Sequence, residues 1–181
     1  MKKFKLTSEF IVDISGVKLF RIKALIEFGN VKAGDLGGYI EKEENLSHMG
    51  NAWVFGNAWV SGDARVSGDA QVFGDARVSG NAQVFGNARV SGNAWVSGNA
   101  QVSGDARVFG DKDYAYAHGF GSCNRTTTFF RLKDGDVGVR CGCFYGTLAQ
   151  FRDNVCETHG ETKKAQEYLM LADLMDFRFK N

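Results

Sequence analysis

Glycine falls on every sixth residue from Gly50 to Gly110. Between them lie ten units that read Gly, Asn or Asp, Ala, then Trp, Arg or Gln, then Val, then Ser or Phe. Val is invariant from Val54 to Val108, and Ala from Ala52 to Ala106. Alternation along a strand puts Val on one face and its two neighbours on the other. Gly followed by Asn or Asp makes a corner, because both tolerate turn conformations that bulkier residues resist. One unit cannot bury its own Val, but stacked coils bury a continuous Val and Ala column. The period therefore dictates a parallel β-solenoid over residues 50–111.

Composition agrees with ordered turns. The chain has 23 Gly and no Pro in 181 residues, whereas disordered low-complexity chains carry both. A formal net charge of +1 implies no general polyanion-binding surface. All four cysteines lie in the last third, and reduced thiols suit a cytoplasmic protein. No apolar run approaches the ~18 residues of a membrane span, and the first ten residues lack the apolar core of a signal peptide.

The repeat resembles the hexapeptide repeat of left-handed β-helix proteins, in which three units form one triangular coil. The three-sided shape and the hand are what this resemblance implies. Three units per coil give the faces distinct chemistry. The first face carries Trp53, Phe55, Phe73 and Phe109 and is read as a packing interface. The second stacks Trp59, Arg77 and Trp95 as an outward column beside Ser61, Ser79 and Ser97. Indole faces stack on planar rings and Arg grips phosphate, so Trp59, Arg77, Trp95 and Ser79 form the candidate ligand site. In this register no Asp stacks on another Asp at the corners, which avoids like-charge repulsion.

The flanks differ from the repeats. Residues 1–49 read as an N-terminal β cap, with a strand or two over Gly16–Phe28 and an irregular first coil over Gly34–Leu46. Residues 112–125 read as a linker. Residues 126–181 read as a small α+β module: strands on either side of the turn Lys133–Asp136, then two helices. Thr147 is the N-cap of the first helix, with Leu148, Phe151 and Val155 on its apolar face and His159-Gly160 at its end. Ala165, Tyr168, Leu169, Ala172 and Met175 line the second. So short a module is expected to pack on the solenoid or on a partner chain.

The whole chain resembles prophage-encoded hexapeptide-repeat proteins of uncharacterised function. The motifs that carry this are GDLGGYIEKEENLS at Gly34–Ser47, the GNAWV-type repeats, GCFYGT at Gly142–Thr147 and THG at Thr158–Gly160. The resemblance implies a bacteriophage accessory protein and no particular reaction. Enzymes built on this repeat include trimeric acyltransferases with a histidine base and trimeric carbonic anhydrases with several histidine ligands. No His lies between Gly50 and Asp111 and no loop interrupts the sixes; His48 and His118 sit just outside. Cys141-x-Cys143, with Cys123, Cys156 or His159, lacks the spacing of common zinc modules, so buried free thiols are the reading and no metal or cofactor is expected.

The resulting expectation is a non-catalytic homotrimer that binds a small anionic or nucleotide ligand, such as a signal of host defence. The alternative is an interaction module presenting its C-terminal part to a host protein. An acyltransferase is the enzymatic alternative.

Overall fold

Val and Ala of every repeat are fully buried, from Ala52 to Val108. A computed structural model describes residues 1–180. In it each Trp, Arg or Gln and the following Val form a two-residue strand. These are β4 (Trp53–Val54), β5 (Trp59–Val60), β6 (Arg65–Val66), β7 (Gln71–Val72), β8 (Arg77–Val78), β9 (Gln83–Val84), β10 (Arg89–Val90), β11 (Trp95–Val96), β12 (Gln101–Val102) and β13 (Arg107–Val108). Three strands precede them: β1 (Phe4–Val12), β2 (Lys18–Ala24) and β3 (Leu36–Ile40). Four follow: β14 (Tyr114–Phe120), β15 (Arg125–Arg131), β16 (Val137–Cys141) and β17 (Phe144–Thr147). The chain ends in helices α1 (Leu148–His159) and α2 (Lys163–Phe179).

Each coil strand from β4 to β10 pairs in parallel with the strand eighteen residues on, as in Val60↔Val78↔Val96. Three units therefore make one coil. The faces are β4-β7-β10-β13, then β3-β5-β8-β11, then β6-β9-β12. Two constraints fix Gly at the corners. Gly86 has φ +69°, and a Cβ there would lie 2.9 Å from the Gly104 nitrogen in the next coil. The Asn and Asp side chains form their own ladders. Asn51 Nδ2 donates to Asp69 Oδ1 at 2.8 Å, and Asn87 Nδ2 to Asp105 Oδ1 at 3.3 Å. An amide over a carboxylate turns a stacked charge into a hydrogen bond.

The first coil of repeats has no repeat above it, so its backbone groups need other partners. Three polar side chains supply them. The Lys3 ammonium, 1% exposed, donates to Ala52 O at 2.8 Å and Gly50 O at 3.3 Å. Asn45 Nδ2 donates to Ala64 O at 2.9 Å and Gly62 O at 3.0 Å. Glu41 Oε2 accepts from the Gly62 N–H at 2.6 Å. β3 and Leu46 complete a coil of their own, through Tyr39↔Trp59, Ile40↔Val60 and the bridge Leu46↔Val66.

At the other end the C-terminal module closes the solenoid. Its sheet is four-stranded and antiparallel, in the order β14-β15-β16-β17. Phe130 on β15 points into the solenoid core, and Phe129 beside it points toward α1 and α2. Thr128 Oγ1 accepts from the Gln101 N–H at 2.9 Å, which pairs β15 to the last coil. The segment 112–125 is thus no linker. Tyr114–Phe120 is an edge strand, because alternation in YAYAHGF places Tyr114 against the solenoid, where its hydroxyl reaches Trp95 O at 2.5 Å. The expected hairpin gains two further strands in the same way. Both helices form as read: the Gln150 N–H donates to Thr147 Oγ1, and Gly160 ends α1 with φ +57°.

Candidate functional site

The second solenoid face continues without a break into the cap, as a six-stranded sheet ordered β1-β2-β3-β5-β8-β11. One outward row crosses it in register: Arg21↔Tyr39↔Trp59↔Arg77↔Trp95. At about 4.8 Å per strand the row is about 19 Å long. Cations and rings stack along it. The Arg21 guanidinium lies 5.3 Å from the Tyr39 ring centroid, and the Arg77 guanidinium 5.3 Å from that of Trp59.

The two halves of the row differ in what they leave open. Glu9 Oε1 accepts from Arg21 at 3.0 Å and from the Tyr39 hydroxyl at 3.1 Å, so the cap half is neutralised and Tyr39 is buried. In the solenoid half Trp59 is half-buried, Arg77 is exposed and Trp95 is 47% exposed. Arg77 enters no ion pair among the described residues.

Trp95 is held on three sides. Its indole N–H donates to Ser79 Oγ at 2.9 Å, its backbone N–H to Asp111 Oδ1 at 2.8 Å, and its carbonyl accepts from Tyr114. Burial pushes the Tyr114 phenol above its usual range. Beyond Trp95 lies a cavity of about 420 Å³ lined by Ser97, Asp111, Tyr114, Tyr116 and Arg178. Arg178 reaches it from α2 and donates to Asp111 O at 3.1 Å. A flat ring on Trp95 would have Tyr116 beside it and an arginine toward each end.

The structure therefore brings Trp59, Arg77, Trp95 and Ser79 together, and gives Ser79 the task of orienting Trp95. Tyr116 and Arg178 escaped the sequence reading, since nothing local ties residue 178 to residue 95. Alternation in YAYAHGF was the one signal for Tyr116. The expected interface on the first face is corrected at Trp53. That indole is 1% exposed, covered by Phe4 and Phe28 of the cap at 6.2 and 5.3 Å between centroids. Phe55 packs partly against the same core. Phe73 is half-buried and Phe109 is 62% exposed. The repeat alone could not show that a cap folds over its first unit.

The remaining reactive residues are engaged or scattered. His48 Nδ1 accepts from the Lys3 N–H at 3.1 Å, which leaves Nε2 to donate to Glu43 at 2.7 Å. The ring also stacks on Phe4 at 4.3 Å. His118 Nδ1 lies 3.0 Å from Thr126 Oγ1. Cys123, Cys141, Cys143 and Cys156 are free thiols but not buried as expected: Cys123, Cys143 and Cys156 are exposed and Cys141 is half-buried. Among the described residues no group of three or more His, Cys, Asp or Glu is placed to hold a metal, and no helix is long and apolar enough to cross a membrane.

A family model for the YdcK beta solenoid repeat matches residues 70–84, 82–98 and 100–111. Comparison with curated proteins gave no match. The matched stretches contain Arg77 and Trp95 and lie wholly within the repeats, and with the coil geometry they make this chain a β-helix repeat protein.

Proposed function

We propose that the protein is a non-catalytic binding protein that holds a planar anionic ligand of the nucleotide class at Trp95. The observation that carries this reading is the run Trp59–Arg77–Trp95 leading into a cavity with Tyr116 and Arg178 at its far side. Base-on-aromatic stacking is worth about 1–3 kcal/mol per base, and an unpaired guanidinium supplies bidentate donors to phosphate. A site of a few hundred Å³ suits a small ligand. The non-catalytic part is supported by His48, whose two ring nitrogens are both taken up by the cap. In the bacteriophage setting implied by the motifs, such a protein would sequester a nucleotide signal and so counter host defence.

The test is a tryptophan-fluorescence titration with nucleoside mono- and diphosphates, alongside an acyl-CoA turnover assay. Saturable quenching, lost in Arg77→Ala and Trp95→Ala and without turnover, supports the reading. Turnover, or quenching that survives both substitutions, overturns it.

A second reading rests on a separate observation. Met170, Leu174 and Phe177 of α2 are 71%, 56% and 74% exposed. Their spacing puts them on one helix face, the pattern of an interaction surface. On this reading the solenoid presents the C-terminal module to a host protein or to other copies in a homotrimer. Light scattering tests the trimer: about three times the 19.9 kDa chain mass is expected, and a monomer at micromolar concentration overturns it.

A further inference from the structure

The third solenoid face carries a groove of about 850 Å³. Its floor is the outward side of β6 and β9, with Arg65, Ser67, Gln83 and Phe85. The cap closes one end with Glu43, Glu44, Ser47 and His48, and Arg140 of β16 closes the other. Three sequence-distant parts of the chain thus converge on a single space.

The lining of this groove carries two carboxylates and two guanidiniums, which differ in how far they are engaged. Glu43 is held by Lys2 at 2.9 Å and by His48 at 2.7 Å, and these bonds pull its carboxyl below the usual range. Glu44 is exposed at the rim and enters no ion pair among the described residues. Asp63, two residues from Arg65, is bonded to Lys42 at 2.6 Å. Arg65 and Arg140, by contrast, enter no ion pair among the described residues. Arg140 is half-buried, lies 5.4 Å from the Phe85 ring centroid, and has a buried Nε with no hydrogen-bond partner. A guanidinium under partial cover and without an ion pair favours an acceptor at its open N–H groups. Ser47 Oγ accepts from the Met49 N–H at 3.0 Å, which leaves its own proton free to donate, and Ser67 adds a second hydroxyl.

We propose that this groove is a second ligand site, separate from Trp95, and that it takes a phosphate monoester with a flat apolar body. Guanidinium and hydroxyl donors suit a phosphate dianion, whose three oxygens accept more hydrogen bonds than the two of a carboxylate. The Phe85 ring receives the body, and Gln83 offers its amide. Neither Trp95 nor Arg77 takes part.

Phenyl phosphate is the probe, with inorganic phosphate as its truncated counterpart, in calorimetric titrations of the full chain at 0.15 M salt. Saturable binding of phenyl phosphate is expected, with inorganic phosphate at least about tenfold weaker for want of the ring. Arg65→Ala removes an exposed side chain and leaves the fold intact; it should weaken binding at least about tenfold. Arg140→Lys keeps the charge over Phe85 but loses the planar fork, and should weaken it by a similar factor. Because phenyl phosphate can also stack at Trp95, the titrations are made in an Arg77→Ala, Trp95→Ala background, which removes that site. No saturable binding, or binding unaffected by both Arg65→Ala and Arg140→Lys, overturns the proposal. Binding seen only where Arg77 and Trp95 are intact also overturns it, and assigns the anion to the Trp95 site.

Discussion

The Arg77 guanidinium lies 5.3 Å from the ring centroid of Trp59, its cross-strand neighbour in the adjoining coil. Such a contact is worth about 0.5–1 kcal/mol at an exposed site, too little to decide whether the solenoid folds. Arg77→Ala should therefore lower the melting temperature by no more than a few degrees while removing ligand binding. Loss of the fold in circular dichroism would show that Arg77 is a structural residue.

Ser79 and Trp95 make the complementary case. The indole N–H to Ser79 Oγ bond at 2.9 Å fixes how the exposed ring lies across the face. Ser79→Ala should leave the protein folded and weaken nucleotide binding roughly three- to tenfold, the effect of one neutral hydrogen bond. Unchanged affinity would mean that the ring needs no positioning.

The solenoid core offers the sharpest stability contrast. Val78 is fully buried between Val60 and Val96, whereas Arg89 projects outward. Val78→Asp buries a charge with no partner and should abolish the cooperative thermal transition. Arg89→Gln should shift the melting temperature by a degree or two. Equal stabilities would mean that the inward and outward positions are exchanged.

Corner stacking is testable by one charge. Asn51 donates to Asp69 at 2.8 Å, so Asn51→Asp places a carboxylate against a carboxylate. The variant should lose about 0.2–1 kcal/mol at low salt and recover most of it in high salt. A loss that is insensitive to salt would point to geometry rather than charge.

Lys3 gives a pH dependence of definite sign. Burial, partly offset by Asp69, pushes its ammonium down from 10.5 to about 8. The unfolded chain thus holds this proton up to a higher pH than the folded chain does. By linkage the Lys3 contribution to stability is lowest below about pH 8 and rises as the pH climbs from about 8 to 10.5, on the order of 3 kcal/mol in all. The difference in unfolding free energy between the natural chain and Lys3→Met, measured in urea across that range, should grow with pH. A flat difference would contradict the buried placement of the ammonium.

How much of this could be read in advance depends on the range of the interaction. The six-residue period dictated the Val and Ala column, the corners and, with the resemblance, the eighteen-residue register that stacks Trp59, Arg77 and Trp95. Thr147 and Gly160 marked α1 because capping is a property of neighbouring residues. Contacts between modules left no such local trace. Trp53 looks like Trp59 and Trp95 in sequence, and only the fold of Phe4 and Phe28 over it makes it core. Lys3 and Asn45 act as caps because carbonyls some 17 to 49 residues away lack partners. Residues 112–125 read as a linker because Gly119 and Gly121 masked the alternation that precedes them. The groove between Arg65 and Arg140 is of the same kind, built by chain ends that meet.

The central claim is that Trp95 and its two flanking arginines hold a nucleotide. A variant carrying Trp53→Phe and Trp59→Phe leaves Trp95 as the sole indole of the chain. Titrated with nucleoside mono- and diphosphates up to about 1 mM, a range that captures even weak small-ligand sites, its fluorescence should be quenched saturably. The quenching should vanish when Arg77→Ala and Arg178→Ala are added, with the fold retained. No saturable quenching by any nucleotide, or quenching that persists without both arginines, would contradict the account.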